Sequence, residues 1–255
     1  MHLTFLGTGT STGVPQIGCS CSVCTSPDAR DRRLRTSALV ETDSGTRLLI
    51  DCGPDFRQQM LPLPFARIDA VLLTHMHYDH VGGIDDLRPF CRFGDVPIYG
   101  NADTLRHLRE TLPYCFAKDL YPGVPHLHLI EVEPLRPFAV NGTTILPLPV
   151  LHGALPILGY RIANLAYITD LSSLPAAARP ALTDVHTLVV NALRREPHAT
   201  HQSIDEAIAL AQSLAPRRTF LTHLSHHAGR HADITPTLPP TIDVAYDGLC
   251  VEVEE

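Results

Sequence analysis

Seven consecutive residues, Thr74-His-Met-His-Tyr-Asp-His80, limit what this chain can be more than any other stretch. They place three imidazoles and a carboxylate, those of His75, His77, Asp79 and His80, within six positions. The apolar run Ile68–Thr74 reads as a buried strand. Gly82-Gly83 follows, ending the turn and letting a helix start. The four side chains therefore crowd a loop at a strand end, where a rigid sheet can aim them. Neutral imidazole and carboxylate are the donor set for zinc and for iron or manganese. One tetrahedral ion could not easily use all four from so tight a turn. The spacing suggests two neighbouring ions, with His75 and His77 on one and Asp79 and His80 on the other. A polar loop that is merely histidine-rich is the bland alternative, and ligand-type residues this dense after an apolar strand weigh against it.

A chain of 255 residues has ample length for a core, and no linker or composition break divides it, so residues 1–255 read as a single domain. The net charge of −7 argues against a general nucleic-acid binder, which would carry a basic face. No apolar stretch reaches the ~20 residues needed to span a bilayer. The N-terminus lacks a basic segment and a small-residue cleavage site, so no signal peptide is expected. Seven cysteines are an odd number and three fall within six residues, which suits reduced thiolates on a metal in the cytoplasm better than a disulfide framework.

Strand signals dominate. Leu3–Leu6 is followed by the glycine and hydroxyl loop Gly7–Gly13, which lacks the Gly-Lys-Ser/Thr ending of a phosphate-cradling loop. Thr36–Thr42 and Thr46–Ile50 flank the turn at Asp43-Ser-Gly45, and Asn141-Gly142 marks a second hairpin. Leu158–Ile162 and Leu165–Thr169 meet around Asn164, and a last hairpin is expected over Val244–Val253 about Asp247-Gly248. Pro97–Tyr99, Thr187–Val190 and Thr219–Thr222 are further strands. Helical patterns cover Ala102–Thr111, the short Pro175–Leu182 and Ser203–Leu214, whereas Pro113–Pro125 reads as an irregular loop near a site mouth. The sum is an α/β chain of two sheets covered by helices.

A two-ion site needs more ligands than one loop supplies, and a strand end is where they should lie. His152, Asp170 and His223 each follow a short apolar run, and Thr222-His223 repeats the ending of Thr74-His75. Standing alone, His152 could equally be a core histidine and Asp170 a turn residue. Asp51, after Ile50, reads as a carboxylate that orients a ligand imidazole from behind.

The H-x-H-x-D-H motif followed by His, Asp and His at strand ends resembles the metallo-β-lactamase superfamily. That resemblance implies an αββα sandwich of two mixed sheets flanked by helices, with a dinuclear site on one sheet edge. It implies one ion on His75, His77 and His152, a second on Asp79, His80 and His223, and Asp170 between them. Retention of that aspartate is similar to the phosphodiesterase branch. Cys19, Cys21 and Cys24 form C-x-C-x-x-C, three thiolates for a structural zinc, with His226 as candidate fourth ligand and His227 and His231 as rivals. Cys52, Cys91, Cys115 and Cys250 read as incidental thiols, and His107, His126, His128 and His186 have no strand-end context. With Gly7-Thr-Gly9, Leu49–Gly53 and Leu221–His226, the pattern is similar to the cyclic ribosyl-phosphate phosphodiesterases of bacterial phosphonate breakdown. The coenzyme pyrroloquinoline-quinone biosynthesis proteins also carry such a cysteine cluster.

The implied reaction is attack of a hydroxide held by two divalent ions, zinc or manganese, on a small cyclic or nucleotide-like phosphodiester. His201 and Asp79 are the expected catalytic side chains. His201, just before the Ser203–Leu214 helix, is the candidate general acid for a poor alkoxide leaving group, with His198 its rival. Arg194 and Arg195 are placed to meet a terminal phosphate. Competing readings are a tRNA 3′-processing nuclease, an iron redox enzyme and a cofactor-biosynthesis accessory protein. Neither a membrane nor a stable nucleic-acid partner is expected, and a homodimer is left open.

Overall fold

A computed structural model describes residues 1–117, 121 and 123–255. One sheet collects β1 (His2–Gly7), β2 (Ser37–Glu41), β3 (Arg47–Ile50), β4 (Ala70–Leu72), β5 (Val96–Gly100) and β6 (Leu127–Glu131). The other collects β7 (Phe138–Val140), β8 (Thr143–His152), β9 (Leu155–Ile162), β10 (Leu165–Ile168), β11 (Thr187–Asn191), β12 (Arg218–Thr222) and β13 (Ile242–Val244). The last strand, β14 (Cys250–Glu252), returns to the first sheet beside β1. Both sheets are mixed: β14-β1-β2-β3 and β7-β8-β9-β10 pair antiparallel, and β3 to β6 and β10 to β13 pair parallel. The helices are α1 (Phe56–Met60), α2 (Tyr78–Val81), α3 (Ala102–Thr111), α4 (Ile204–Leu214) and α5 (His231–Ile234), with a 3-10 stretch over Ile84–Phe93.

Alternation along each strand sorts its side chains into two cores. On β3, Leu48 and Ile50 face the other sheet, and Leu49 faces the helices. The inter-sheet core joins Leu3, Phe5, Val40 and Leu72 to Ile145, Tyr160, Tyr167 and Phe220, with the Phe5 and Phe220 ring centroids 5.5 Å apart. Outside the first sheet, Leu49, Val71 and Ile98 pack on Phe56, Leu87 and Leu105. Outside the second, Ile168, Val190 and Leu221 pack on Ile204, Ala207 and Ala211 of α4. The four layers are the αββα sandwich that the sequence pattern implies.

Local chemistry accounts for the boundaries. The Asn141-Gly142 turn takes positive φ at both residues, 49° and 85°, as a tight hairpin requires. Ser203 caps α4, and Glu206 completes a capping box, tying down the helix that follows His201.

Two expectations differ, and one strand is unexpected. The stretch Val244–Val253 is not a hairpin, because β13 pairs with β12 and β14 with β1, in different sheets. Its Asp247-Gly248 turn is a crossover between sheets; the Asp247 carboxylate accepts hydrogen bonds from the Thr8 and Leu34 N–H groups instead of closing a ladder. The helix after the motif starts earlier than Gly83: α2 already contains Asp79 and His80, and Gly82 ends it. Strand β6, with its half-exposed pattern on the sheet edge, carries too weak an alternation to be read from the sequence. Of the expected loop Pro113–Pro125, residues 118–120 and 122 lie outside the described residues, and Pro113–Cys115 forms a 3-10 turn.

Tyr160 ties the sheets together at the edge that carries the motif, its buried hydroxyl donating to the Leu73 carbonyl at 2.6 Å. Replacing it with phenylalanine keeps the ring and removes that bond. Tyr160→Phe is expected to lower stability by about 1–2 kcal/mol in urea unfolding, and an unchanged midpoint would sink this role.

Candidate metal centre and active site

Five strands deliver their following residue to one edge of the sandwich: Asp51 after β3, His75 beyond β4, His152 at the end of β8, Asp170 beyond β10 and His223 after β12. The α2 turn adds Asp79 and His80, with His77 as its cap. Donor atoms of His75, His77 and His152 lie within 4.8 Å of one another, as do those of Asp79, His80 and His223. His75, His80 and Asp170 form a third such group that overlaps both. All seven ligand candidates thus share one pocket, and only His77 is exposed.

Asp170 sits at the middle. Its Oδ1 lies 3.1 Å from His223 Nε2 and its Oδ2 3.3 Å from His80 Nε2. Asp79 Oδ2 is 3.3 Å from the same His80 nitrogen and 3.9 Å from His223 Nε2. His201, half-buried, points its Nε2 at Asp170 Oδ1 from 3.0 Å, and its Nδ1 meets the Thr200 hydroxyl at 3.0 Å. His198 is exposed, with its Nδ1 3.3 Å from His201 Nδ1.

Groups behind the pocket set the imidazole tautomers. Asp51, fully buried, accepts from His80 Nδ1 at 2.6 Å and from the Thr74 N–H and hydroxyl, each at 2.8 Å. With its proton committed to Asp51, the Thr74 hydroxyl accepts from His75 Nδ1 at 2.9 Å. His152 Nδ1 donates to the carbonyls of Asp170 and Thr200, at 2.9 and 2.8 Å. Each ring so held turns Nε2 into the pocket, which is how ligand histidines are prepared for a metal. The Nε2 atoms of His75 and His80 are buried without a hydrogen-bond partner. An orphaned buried nitrogen is costly, and a divalent ion is the partner that this donor set fits.

The electrostatics agree. Burial alone would depress His80, but Asp170, Asp51 and Asp79 outweigh it and hold the imidazole well above its usual range. Burial pushes Asp170 up, and His223, His80 and His201 more than reverse this, holding it well below the usual carboxylate range. Burial, reinforced by His80, keeps His75 neutral, and burial brings His223 down to about 4. Metal-free, the pocket therefore favours a protonated His80, whose Nε2 proton an incoming ion must displace.

The strand ends are unusual in backbone. Asp51, Asp170 and His223 have φ of 59°, 55° and 57°. Left-handed non-glycine residues cost on the order of 1–3 kcal/mol each and gather at functional sites. Nothing in the sequence spacing marks them. Gly83 answers to a second constraint: a Cβ there would lie 2.0 Å from the Gly53 carbonyl oxygen, so the motif and the Asp51 loop touch backbone to backbone. Thr74 is a supporting residue the sequence hides, since a strand-end threonine has no distinctive signal. Its counterpart Thr222 has a hydroxyl without a partner, so the repeated Thr-His ending is not a repeated geometry.

A second cluster brings Cys19, Cys21, Cys24 and His226 within 4.8 Å of one another. His226 Nδ1 is 3.3 and 3.4 Å from the Cys19 and Cys21 sulfurs. The Cys24 N–H and His226 bring the Cys21 thiol down to about 6, and burial pushes Cys24 up to about 11. Of the rivals, His227 lies beside His226, with ring centroids 4.0 Å apart and the planes tilted by 41°. His231 is used elsewhere, its N–H donating to Asp31 and its ring edge-on to Tyr246. Of the arginines expected to meet a phosphate, Arg194 donates to the Glu196 and Pro197 carbonyls, and Arg195 is exposed, 3.4 Å from the Thr237 hydroxyl.

With this geometry in view, the relatives fall into place. Residues 46–224 match the beta-lactamase superfamily domain. A solved structure described as a new diphosphatase from the PhnP family is 41% identical, with a TM-score of 0.91 over 99% of this chain and 98% of that one. The chain belongs to the PhnP family of the beta-lactamase superfamily. This PhnP-family chain is also 47% identical over its whole length to a protein of Porphyromonas gingivalis named octanoyltransferase, of which it spans only 52%. Over 101 residues it is 39% identical to the coenzyme PQQ synthesis protein B of Methylorubrum extorquens (strain PA1), of which it spans 34%. The chain spans about half or less of the length of these curated relatives. Among the described residues of the PhnP-family chain, no helix is long and apolar enough to cross a membrane.

Two predictions follow from the hydrogen bonds behind the pocket. Loading with Mn²⁺, which thiolates bind weakly, should release at least about one proton per chain near pH 7, because His80 must lose its Nε2 proton. Affinity should then fall as pH is lowered, and calorimetry in two buffers of different ionisation enthalpy reads the proton count; no release would contradict the His80 assignment. Asp51→Asn replaces the acceptor behind His80 and should weaken metal affinity about 10- to 100-fold in chelator competition.

Proposed function

We propose that the protein hydrolyses a phosphodiester in a small cyclic or nucleotide-like substrate, at a centre for two divalent ions. His75, His77 and His152 would hold one ion and Asp79, His80 and His223 the other, with Asp170 serving both. The position of Asp170 carries this reading: its two oxygens approach different ligand histidines, as a shared carboxylate should. Two such ions, zinc or manganese, supply a water-derived nucleophile at neutral pH and neutralise charge on phosphoryl oxygens. The cysteine cluster, with a soft S₃N donor set, suits a structural zinc.

The chain's own part in the chemistry is to position and to move a proton. His201 stands outside both ligand triplets, yet its Nε2 reaches the same space. Held through Nδ1 by Thr200, it can protonate a departing alkoxide. Asp79 is a ligand and, by facing both His80 and His223, orients that half of the centre. The diphosphatase name of the similar structure favours a second substrate class, a phosphoanhydride. There the leaving group is a phosphate that departs without help, so the role of His201 separates the two. The small-substrate reading also accords with the net charge of −7, which does not favour a nucleic acid.

The deciding experiment is turnover of the metal-loaded protein on cyclic diesters, linear diesters and diphosphates, with monoesters and a β-lactam as controls. His201→Ala should cost about 10²- to 10⁴-fold in kcat on a diester with an alkoxide leaving group and far less on p-nitrophenyl diesters or diphosphates. Equal losses on all of them would remove His201 as the acid. Hydrolysis of the controls alone would sink the functional reading.

A further inference from the structure

A second surface, built from none of the proposed ligands, lies outside the first sheet. Helix α1 stops after one turn because Leu61-Pro-Leu-Pro64 follows, and neither proline can continue it. Between α1, this proline-stiffened segment and the 3-10 stretch Ile84–Phe93 runs an open groove of about 410 Å³. Phe56, Met60 and Phe90, all buried, form its floor, and the exposed Leu61, Pro64 and Phe65 form its lip. The floor belongs to the core under the first sheet, so the groove is rigid where a partner would press on it. Aromatic contacts carry that rigidity outward: ring centroids lie 5.7 Å apart for Phe56 and Phe90, 5.0 Å for Phe90 and Phe65, and 5.3 Å for Phe65 and Phe93. The Arg92 guanidinium covers the outer end, 5.8 and 5.7 Å from the Phe65 and Phe93 centroids.

Leu61 is 66% exposed, Phe65 48% and Phe93 36%, three of the seven large apolar side chains that are exposed among the described residues. Gathered on one groove instead of scattered, they mark a contact surface. The charges on its walls say what it contacts. The nearby Arg35, Arg67 and Arg88 are paired with Asp55, Asp69 and Asp85. Arg57 and Asp86, both exposed and both lining the groove, have no ion-pair partner among the described residues. An amphiphilic anion, an acidic peptide or an anionic membrane would be drawn to Arg57 and repelled by Asp86. One free charge of each sign beside an apolar groove is instead complementary to itself. A two-fold rotation lays the arginine of each copy against the aspartate of the other, as a self-complementary patch requires.

We propose that two copies of this chain meet across this groove about a two-fold axis. The Leu61–Phe65 lip of each copy sits in the groove of the other, and Arg57 and Asp86 close the rim on both sides. The result is an apolar centre within a polar, charge-paired border, the usual anatomy of a specific interface. Stable dimers bury about 800 Å² on each partner, so the contact takes in the Arg92–Phe93 end of the 3-10 stretch as well. No ligand of the metal centre takes part.

Sedimentation velocity on the full chain tests this. The wild type should run as a dimer at about 10 μM, and Leu61→Asp or Phe65→Asp as a monomer. Arg57→Asp and Asp86→Arg should each weaken the dimer at least about tenfold, because each sets like charges against one another across the axis. Mixed in equal amounts, those two variants should associate again, since each then meets the opposite charge on the other. Mn²⁺ affinity, expected to be the same in all of them, reports that each variant is folded. A wild type that stays monomeric at about 100 μM, or a dimer that both charge reversals leave at full strength, overturns the proposal. So does a mixture of the two folded, monomeric charge variants that fails to associate.

Discussion

The Asp51 carboxylate, with no exposure to solvent, is the constraint on which the rest of the edge depends. A buried carboxylate is tolerated only when its oxygens are occupied, and here a neighbouring backbone amide, a hydroxyl and an imidazole occupy them. Those three bonds fix Thr74 and His80 at once, and through the Thr74 hydroxyl they fix His75. One side chain at the end of β3 thereby aims two ligand rings of the neighbouring strand and helix. The close backbone approach at Gly53 and Gly83 serves the same end, bringing the Asp51 loop within reach of α2.

This arrangement explains why the edge can carry three left-handed residues. Asp51, Asp170 and His223 each follow a strand whose last four residues are buried, and β3 and β10 are buried throughout. The parallel ladders from β3 to β5 and from β10 to β13 set where each strand stops. The chain must then turn away sharply to make its crossover. A left-handed residue makes that turn in one step and leaves its side chain over the sheet edge, so the local strain is opposed by the packing of two cores.

Much of this is legible in the residue order, and the reason is physical. A strand in a sandwich shows as a short apolar run, and a functional side chain at its end breaks that run abruptly, so His75, His152, Asp170 and His223 can each be placed on the edge from sequence. The C-x-C-x-x-C turn is equally plain, because three thiols at that spacing have few other uses. Partner choice is less legible. Val244–Val253 has the pattern of a hairpin, yet its strands join different sheets, since long-range pairing and the buried Asp247 contacts override the local turn. The 3.0 Å approach of His201 to Asp170 arises from loops that meet only in the folded chain.

The charge balance of the pocket bears on how many ions it takes. Asp51, Asp79 and Asp170 are all buried. Burial pushes Asp51 up, but the three groups donating to its oxygens favour the carboxylate, so the His80 imidazolium stands against three carboxylates. Two negative charges are then left in a region where solvent cannot screen them. One dication that displaces the His80 proton leaves a single negative charge, which would repel an anionic phosphoryl substrate. Two dications leave a single positive charge, which attracts it and can be neutralised by one bound anion. For the phosphodiester substrate proposed above, this charge balance favours the two-ion filling.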